Sequence, residues 1–351
     1  MRTLVKLPIV IATAVAAFAV QSPAMAQEKV LNLYSARHYQ SDQVIYDTFT
    51  KTTGIKINRV EADDAGIVAR LRAEGAASPA DVILMVDAAR MASADSQGLF
   101  QPIKSAKLDA AIGANLRAAP TANGVTWTGF STRARVIAFD PLRVKAEDVA
   151  TYEQLADPKL KGLLCSRSGS HPYNLSLFAT VVERLGDAKG ENWLKGMAAN
   201  MARAPKGGDT DQIRAVASGE CAVAITNSYY AARLLRSSKS EDRTVMDRVR
   251  IVHPNQATIG THVNIAGGAV ARHAPNRDNA VVFMEFLATP FAQAQFAESN
   301  NEYPTAAGVQ INNPALTALG GDNFKRDTIA LGVVAKNMTK VQQMLDRVGF
   351  K

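Results

Sequence analysis

Short apolar runs alternate with amphipathic stretches along most of the chain. VLNLYSA (residues 30–36) predicts a strand, and the next stretch predicts a helix with Ser41 as its N-cap and Gly54 as its stop. IKINRVE and the fully apolar ADVILMVD (residues 80–87) predict two further strands, and each is followed by a helical pattern. This strand–helix order with apolar strands predicts an α/β fold with a parallel sheet covered on both faces.

The same alternation returns in the second half of the chain. Strands are predicted at VIAFD, GLLCSR, CAVAIT, VRIVHP and VNIAGGAVA, and long helical patterns end the chain. WTGFSTRARVIAFDP and THVNIAGGAVARHAP are predicted to cross between two lobes, each a mainly parallel sheet flanked by helices. We predict a first lobe of residues 27–128 plus about 260–302, and a second of 129–259 plus about 303–351.

The first 26 residues have the pattern of a secretory signal peptide. Arg2 and Lys6 precede the apolar run LPIVIATAVAAFAV, and Ala24-Met25-Ala26 forms a small-x-small cleavage site. The apolar run is too short for a membrane span, and no later stretch reaches that length. We therefore predict an exported periplasmic protein that begins at Gln27.

Charge and cysteine content narrow the function classes. The formal charge of +8 becomes +6 without the two charges of Arg2 and Lys6, and the basic residues are dispersed with few aromatics, which argues against nucleic-acid binding. The two cysteines, Cys165 and Cys221, form an even pair in an oxidising compartment, which favours a disulfide over two reduced, buried thiols on neighbouring strands.

Four of the eight tyrosines lie in settings that packing alone explains poorly. Tyr229 and Tyr230 follow the strand pattern CAVAIT and open a helical pattern, where α/β proteins present side chains to ligands. Tyr39 and Tyr173 lie in polar, turn-like segments, each shortly after a histidine. A half-buried tyrosine with a satisfied hydroxyl is the commoner role, and we expect it for the other tyrosines. For Tyr229 and Tyr230, packing or the lining of a cleft is the alternative to metal ligation.

Several segments together resemble a known family. The segments are LYSARHY, SPADVILMVDAAR, WTGFSTRARVIAFDP, SHPYN, NSYY and GTHVNIAG. They resemble the periplasmic ferric-iron-binding proteins of bacterial ABC importers, in particular the iron-deficiency-induced protein A branch. The resemblance implies a two-lobed periplasmic binding protein fold of the class II type, with iron held between the lobes by tyrosine phenolates. The matching positions are Tyr39, Tyr173, Tyr229 and Tyr230, while His38 matches a histidine that ligates in only some members.

The chemistry of Fe³⁺ agrees with such a donor set. Fe³⁺ is a hard ion that prefers anionic oxygen, and a bound cation drives deprotonation of its ligands. Three phenolates neutralise Fe³⁺ and a fourth leaves a charge of −1, which a nearby cation must offset. Candidates for this role, if they are not simply paired at the surface, are Arg37, Arg133, Arg135 and Arg233.

The sequence shows no motif of catalysis: there is no nucleophile elbow, phosphate loop or zinc-protease signature. The resemblance implies a monomeric iron carrier, not an enzyme, that delivers Fe³⁺ to an inner-membrane ABC permease and its ATPase. The alternatives are a binding protein of the same fold for an organic or anionic solute and, less favoured, a phenolate-metal enzyme. The sequence leaves Fe³⁺ or Fe²⁺ as the load open, together with any anion or water that completes the coordination.

Overall fold

The computed structural model describes residues 29–37 and 39–350, so the predicted signal peptide and His38 lie outside the described residues. The strands of this part of the chain are Val30–Ser35 (β1), Lys56–Glu61 (β2), Val82–Met85 (β3), Phe100–Gln101 (β4), Trp127–Phe139 (β5), Leu164–Cys165 (β6), Val223–Asn227 (β7), Arg250–Val252 (β8), Val263–Ala271 (β9) and Tyr303–Pro304 (β10).

Helices follow most of these strands. The α-helices are Gln43–Thr53 (α1), Asp64–Glu74 (α2), Ala88–Ser96 (α3), Ala106–Ala111 (α4), Pro172–Leu185 (α5), Asp187–Ala199 (α6), Asp209–Ser218 (α7), Ser228–Arg236 (α8), Ser240–Arg248 (α9), Arg277–Leu287 (α10), Pro290–Asn300 (α11), Pro314–Ala318 (α12) and Leu331–Val348 (α13). Over residues 29–37 and 39–350, none of these helices is long and apolar enough to span a membrane.

The predicted β-α-β-α-β unit at the start of the described chain is confirmed. β1 pairs in parallel with β2 on one side and with β3 on the other. Gly54 ends α1 in the left-handed conformation at φ 71°, as predicted. The predicted N-cap at Ser41 is wrong, because a 3-10 turn at Gln40–Asp42 precedes α1 and the Ser41 hydroxyl donates to the Asn300 side chain instead.

Strand β5 connects the two halves of the sheet, whose order is β2-β1-β3-β9-β5-β7-β6. The first part of β5 pairs with β9, and the part from Arg135 onward pairs with β7 and β8. All of these pairs are antiparallel, and β5 and β9 lie between the two halves of the sheet. Among the ten strands of the described residues, parallel pairing is confined to β2-β1-β3 and to β6-β7. The two segments predicted as crossovers therefore lie side by side at the centre of the molecule.

Each half of the sheet has its own apolar core. In the first half, the rings of Phe49 on α1 and Phe283 on α10 meet edge to face at 4.9 Å. In the second half, Phe178 on α5 packs against Trp193 at 5.5 Å on one face of the sheet. A further cluster covers the opposite face. Burial of each such ring contributes roughly 1.5–3 kcal/mol, and burial of Phe178 helps to fix α5, whose first turn carries Tyr173.

The predicted disulfide between Cys165 and Cys221 is confirmed. It links β6 to the residue that stands two positions before β7, with a Cα–Cα distance of 5.9 Å. Both cysteines are fully buried. The disulfide fastens the edge strand of the second half to the strand that leads directly to Tyr229.

Candidate metal centre

All four tyrosines singled out from the sequence line one cavity of about 300 Å³. Tyr39 follows β1, Tyr173 is the second residue of α5, and Tyr229 and Tyr230 lie in the first turn of α8. Arg37 and Arg233 line the same cavity. Three separate parts of the chain thus bring four phenols and two guanidinium groups together in one place.

Tyr229 and Tyr230 both face the cavity although they are adjacent in α8. Their ring centroids are 4.2 Å apart with an interplanar angle of 30°. The roughly 100° between successive helical side chains therefore does not send the two rings to different environments. Arg233, one turn later, lies 4.9 Å from the Tyr229 ring centroid and 5.6 Å from that of Tyr230. It also lies 5.4 Å from the Tyr39 ring centroid, so it reaches phenols from two separate segments.

Tyr173 is positioned by the start of α5. His171 is the N-cap, and its Nδ1 accepts a hydrogen bond from the Tyr173 backbone N–H at 3.2 Å. Burial, together with the charges of Arg167 and Arg135, lowers the pKa of His171 to about 3, so the ring stays neutral and can accept this bond. The helix terminus adds partial positive charge beside the Tyr173 side chain. His171 thus serves the helix start.

Two of the predicted arginines, Arg37 and Arg133, lie against tyrosine rings and form buried ion pairs. The Arg37 guanidinium is 5.0 Å from the Tyr39 ring centroid and pairs with Asp42 at 2.9 Å. Arg133 is 5.4 Å from the Tyr173 ring centroid. Both guanidinium groups are neutralised at least in part by carboxylates inside the protein.

Arg135 has a different position from the other three arginines. Like Arg133 it does not line the cavity, but it pairs with Asp209 and donates to Asn227 at 3.1 Å and to Asn174 at 2.5 Å. These two asparagines lie next to the helix starts that carry the tyrosines. Arg135 therefore holds the backbone of the site together without facing the cavity itself.

The sequence reasoning missed Glu302 and Arg167. Glu302 is fully buried and pairs with Arg37 at 3.0 Å and with Arg133 at 3.2 Å. Arg167 lies 5.3 Å from the Tyr173 ring centroid and pairs with Asp209 at 3.1 Å. No local pattern in NNEYPT marks Glu302, because its partners lie far away in the sequence.

Burial controls the protonation of the phenols in the absence of a cation. Burial, reinforced by the charge of Glu302, raises the pKa of Tyr39 to about 12, although Arg133 and Arg37 oppose the shift. Burial likewise raises the pKa of Tyr229 well above its ordinary value, and the neighbouring tyrosines add to the effect. These two phenols are therefore neutral at pH 7 in the metal-free protein.

In the described part of the chain, the other common metal-binding side chains form no comparable cluster. Within the described ranges, no group of three or more His, Cys, Asp or Glu side chains could hold a metal ion. Tyr34, Tyr46, Tyr152 and Tyr303 are buried away from the cavity, in keeping with the packing role expected for them.

Comparison with known proteins identifies the class to which this fold and site belong. Residues 45–323 match the family described as bacterial extracellular solute-binding protein, and the chain belongs to this family. It is 42% identical to iron uptake protein A1 of Synechocystis over 325 residues, which cover 93% of this chain and 88% of the relative. Members of the family bind solutes for transport and are not enzymes.

Solved structures give the same result. The Trichodesmium protein IdiA (FutA) in complex with iron and citrate has a TM-score of 0.87 and 46% identity, and covers 92% of this chain and all of that chain. A ferric binding protein from Campylobacter jejuni has a TM-score of 0.83 and 36% identity over 92% of this chain and 100% of its own. The predicted family and its two-lobed fold are thereby confirmed.

Proposed function

We propose that this chain is the periplasmic binding component of an ABC-type iron importer and that it carries Fe³⁺ in the tyrosine-lined cavity. One observation carries the proposal: four phenols from three separate segments converge on one cavity of about 300 Å³. Phenolate oxygen is a donor that Fe³⁺ prefers to thiolate or thioether. The ligands in this proposal are Tyr39, Tyr173, Tyr229 and Tyr230, while His38 is an additional candidate outside the described residues.

The charge of the cavity supports Fe³⁺ as the load. Four phenolates around Fe³⁺ carry a net charge of −1, whereas the same ligands around Fe²⁺ carry −2. Arg233 lies beside three of the four phenol rings. Within residues 29–37 and 39–350 it forms no ion pair with a carboxylate, so its positive charge is available to offset the complex. The ferric complex carries the smaller negative charge and so needs less compensation than the ferrous one.

The lobe boundaries predicted from the sequence remain part of this proposal. In that division Tyr39 belongs to the first lobe, and Tyr173, Tyr229 and Tyr230 belong to the second. Metal binding would then join one ligand from the first lobe to three that are already assembled on the second. The hydrogen bond from Ser176 on α5 to Asp87 at the start of α3, 3.2 Å long, would link the lobes beside the metal.

The same proposal defines the partners and the compartment. The signal peptide pattern would export the chain to the periplasm, where it would act as a monomer and pass iron to an inner-membrane permease driven by its ATPase. Basic residues are spread over the chain without a concentrated patch, so no nucleic-acid partner is proposed.

Ferric loading followed by visible spectroscopy tests the proposal. Phenolate-to-iron charge transfer should turn the colourless metal-free protein orange to red at one iron per chain, and a strong chelator should remove the colour. An organic-solute carrier of the same fold would stay colourless. A ferric titration without visible absorption would contradict the iron assignment.

A further inference from the structure

Behind the tyrosines lies a group of four charged side chains that the proposed coordination does not include. The group consists of Arg37, Asp42, Arg133 and Glu302, and we refer to it as the buried quartet. Each of its members is at least 97% buried. Two positive and two negative charges make the quartet neutral as a whole.

Glu302 is the member that connects the two sides of the site. Its Oε2 accepts hydrogen bonds from Arg37 Nη1 at 3.0 Å and from the Ser131 hydroxyl at 2.6 Å. Its Oε1 accepts from Arg133 Nη1 at 3.2 Å. Since Arg37 lies against Tyr39 and Arg133 against Tyr173, one carboxylate holds cations beside two different phenols.

Local structure explains why Glu302 faces inward. Helix α11 ends at Asn300, and the next residue, Asn301, adopts the left-handed conformation at φ 58° and reverses the chain. β10 then pairs with β5 at Thr132 and Ser131, which places Glu302 directly beside the crossover strand. Glu302 directly precedes β10, so the pairing of β10 with β5 fixes the carboxylate beside the strand that carries Arg133.

The charge of Glu302 persists although it is fully buried. Burial alone would raise its pKa, but Arg37 and Arg133, with the Ser131 hydroxyl, hold the pKa below its ordinary value. Through their ion pairs, Glu302 and Asp42 offset the charges of Arg37 and Arg133. Of the two arginines that line the cavity, only Arg233 then contributes a positive charge that no carboxylate among the described residues balances.

We propose that Glu302 is a positioning residue that sets the preference of the site for Fe³⁺ over Fe²⁺. This inference rests on the proposed function. By neutralising the arginines behind Tyr39 and Tyr173, Glu302 keeps their positive charges from compensating the iron complex. A ferric tetraphenolate complex carries −1 and the ferrous complex −2, so each positive charge beside the site stabilises the ferrous complex more than the ferric one. An extra positive charge at the quartet would favour the ferrous complex.

The substitution Glu302→Gln tests this proposal directly, because it removes the negative charge and nearly preserves the shape. The ratio of Fe³⁺ affinity to Fe²⁺ affinity, measured anaerobically for Fe²⁺, should fall at least tenfold. For a one-electron couple a tenfold change raises the reduction potential of the bound iron by about 59 mV, which spectroelectrochemistry can measure. Glu298→Gln, on the same α11 helix and outside the quartet, is the matched control and should leave the potential unchanged.

Asp42→Asn provides an independent variant in case Glu302→Gln does not fold. It also raises the charge of the quartet by one, on the side of Tyr39, and should shift the potential in the same direction. A parallel loss of affinity for both oxidation states, with an unchanged potential in the folded variant, would overturn the inference and leave Glu302 a structural residue. A parent chain that binds neither form of iron would overturn the proposed function itself.

Discussion

In the proposed coordination, the phenol oxygens of Tyr229 and Tyr230 are the residue-scale feature on which iron binding depends most. Both rings line the cavity and both lie against Arg233. Replacing either with phenylalanine keeps the ring and removes the donor oxygen, so the packing of α8 is retained.

We predict that Tyr229→Phe and Tyr230→Phe each weaken ferric binding by more than the roughly 10–100-fold that loss of an outer partner of a metal ligand costs. Competition with a chelator measures the affinity, and thermal unfolding checks that the fold is retained. Tyr46→Phe is the matched control, because the Tyr46 side chain is buried and lies outside the cavity. Unchanged iron affinity in both Tyr229→Phe and Tyr230→Phe would reduce this pair to a packing role.

Residue-scale reasoning singled out four tyrosines that line one cavity, because their local context carried a signal, while their role as metal ligands stays a prediction. Tyr39, Tyr173, Tyr229 and Tyr230 stand in turn-like or strand-end segments, and the resemblance to a family joined them into one set. Glu302 has no such signal, because it meets Arg37 across 265 sequence positions and Arg133 across 169. Contacts of this kind depend on the register with which β10 pairs with β5, and the spacing of apolar residues in the sequence does not determine that register.

At the scale of elements, the disulfide stabilises the strands that carry the tyrosine pair. It closes a loop of 56 sequence positions between β6 and the start of β7. Its stabilising effect acts mainly on the unfolded chain, so it need not alter the site.

We predict that the double substitution Cys165→Ala with Cys221→Ala lowers the free energy of unfolding by about 4 kcal/mol, on the chain-entropy model. Urea unfolding of the parent and the variant measures the difference. The charge-transfer spectrum of the ferric form should stay the same at temperatures where the variant is folded. A variant as stable as the parent would show that the disulfide contributes nothing to stability.

At the scale of elements, most apolar strands and amphipathic helices were predicted correctly. Burial of one face of an element imposes a regular spacing of apolar residues, and this spacing is visible in the sequence. It failed at Ser41, where a 3-10 turn and the Arg37–Asp42 ion pair decide how the chain enters α1. It also did not anticipate how many pairs are antiparallel, since β5 pairs with β7, β8 and β9 through contacts between distant segments.

At the scale of the whole molecule, iron binding should be coupled to the release of protons. In the metal-free protein the raised pKa values of Tyr39 and Tyr229 keep both phenols protonated at neutral pH. Since Fe³⁺ binds the deprotonated forms, acid favours the metal-free state and alkali favours the complex.

We predict that ferric affinity rises with pH between about 6 and 8, by up to one logarithmic unit per pH unit for each phenol that ionises on binding. Chelator competition at several pH values gives the slope, after correction for protonation of the chelator. The metal-free protein should in turn lose stability as pH rises from 10 to about 12, because the folded state holds the Tyr39 proton more tightly than the unfolded chain does. A ferric affinity independent of pH would exclude phenol ionisation on binding.

The central claim is that one ferric ion is held by four phenolates in a single cavity. Anomalous diffraction at the iron absorption edge, from crystals of the ferric-loaded protein, tests it most directly. The account predicts one strong peak within coordination distance of the hydroxyl oxygens of Tyr39, Tyr173, Tyr229 and Tyr230, with Arg233 adjacent. A peak at any other position, or one that contacts none of these four tyrosines, would contradict the account.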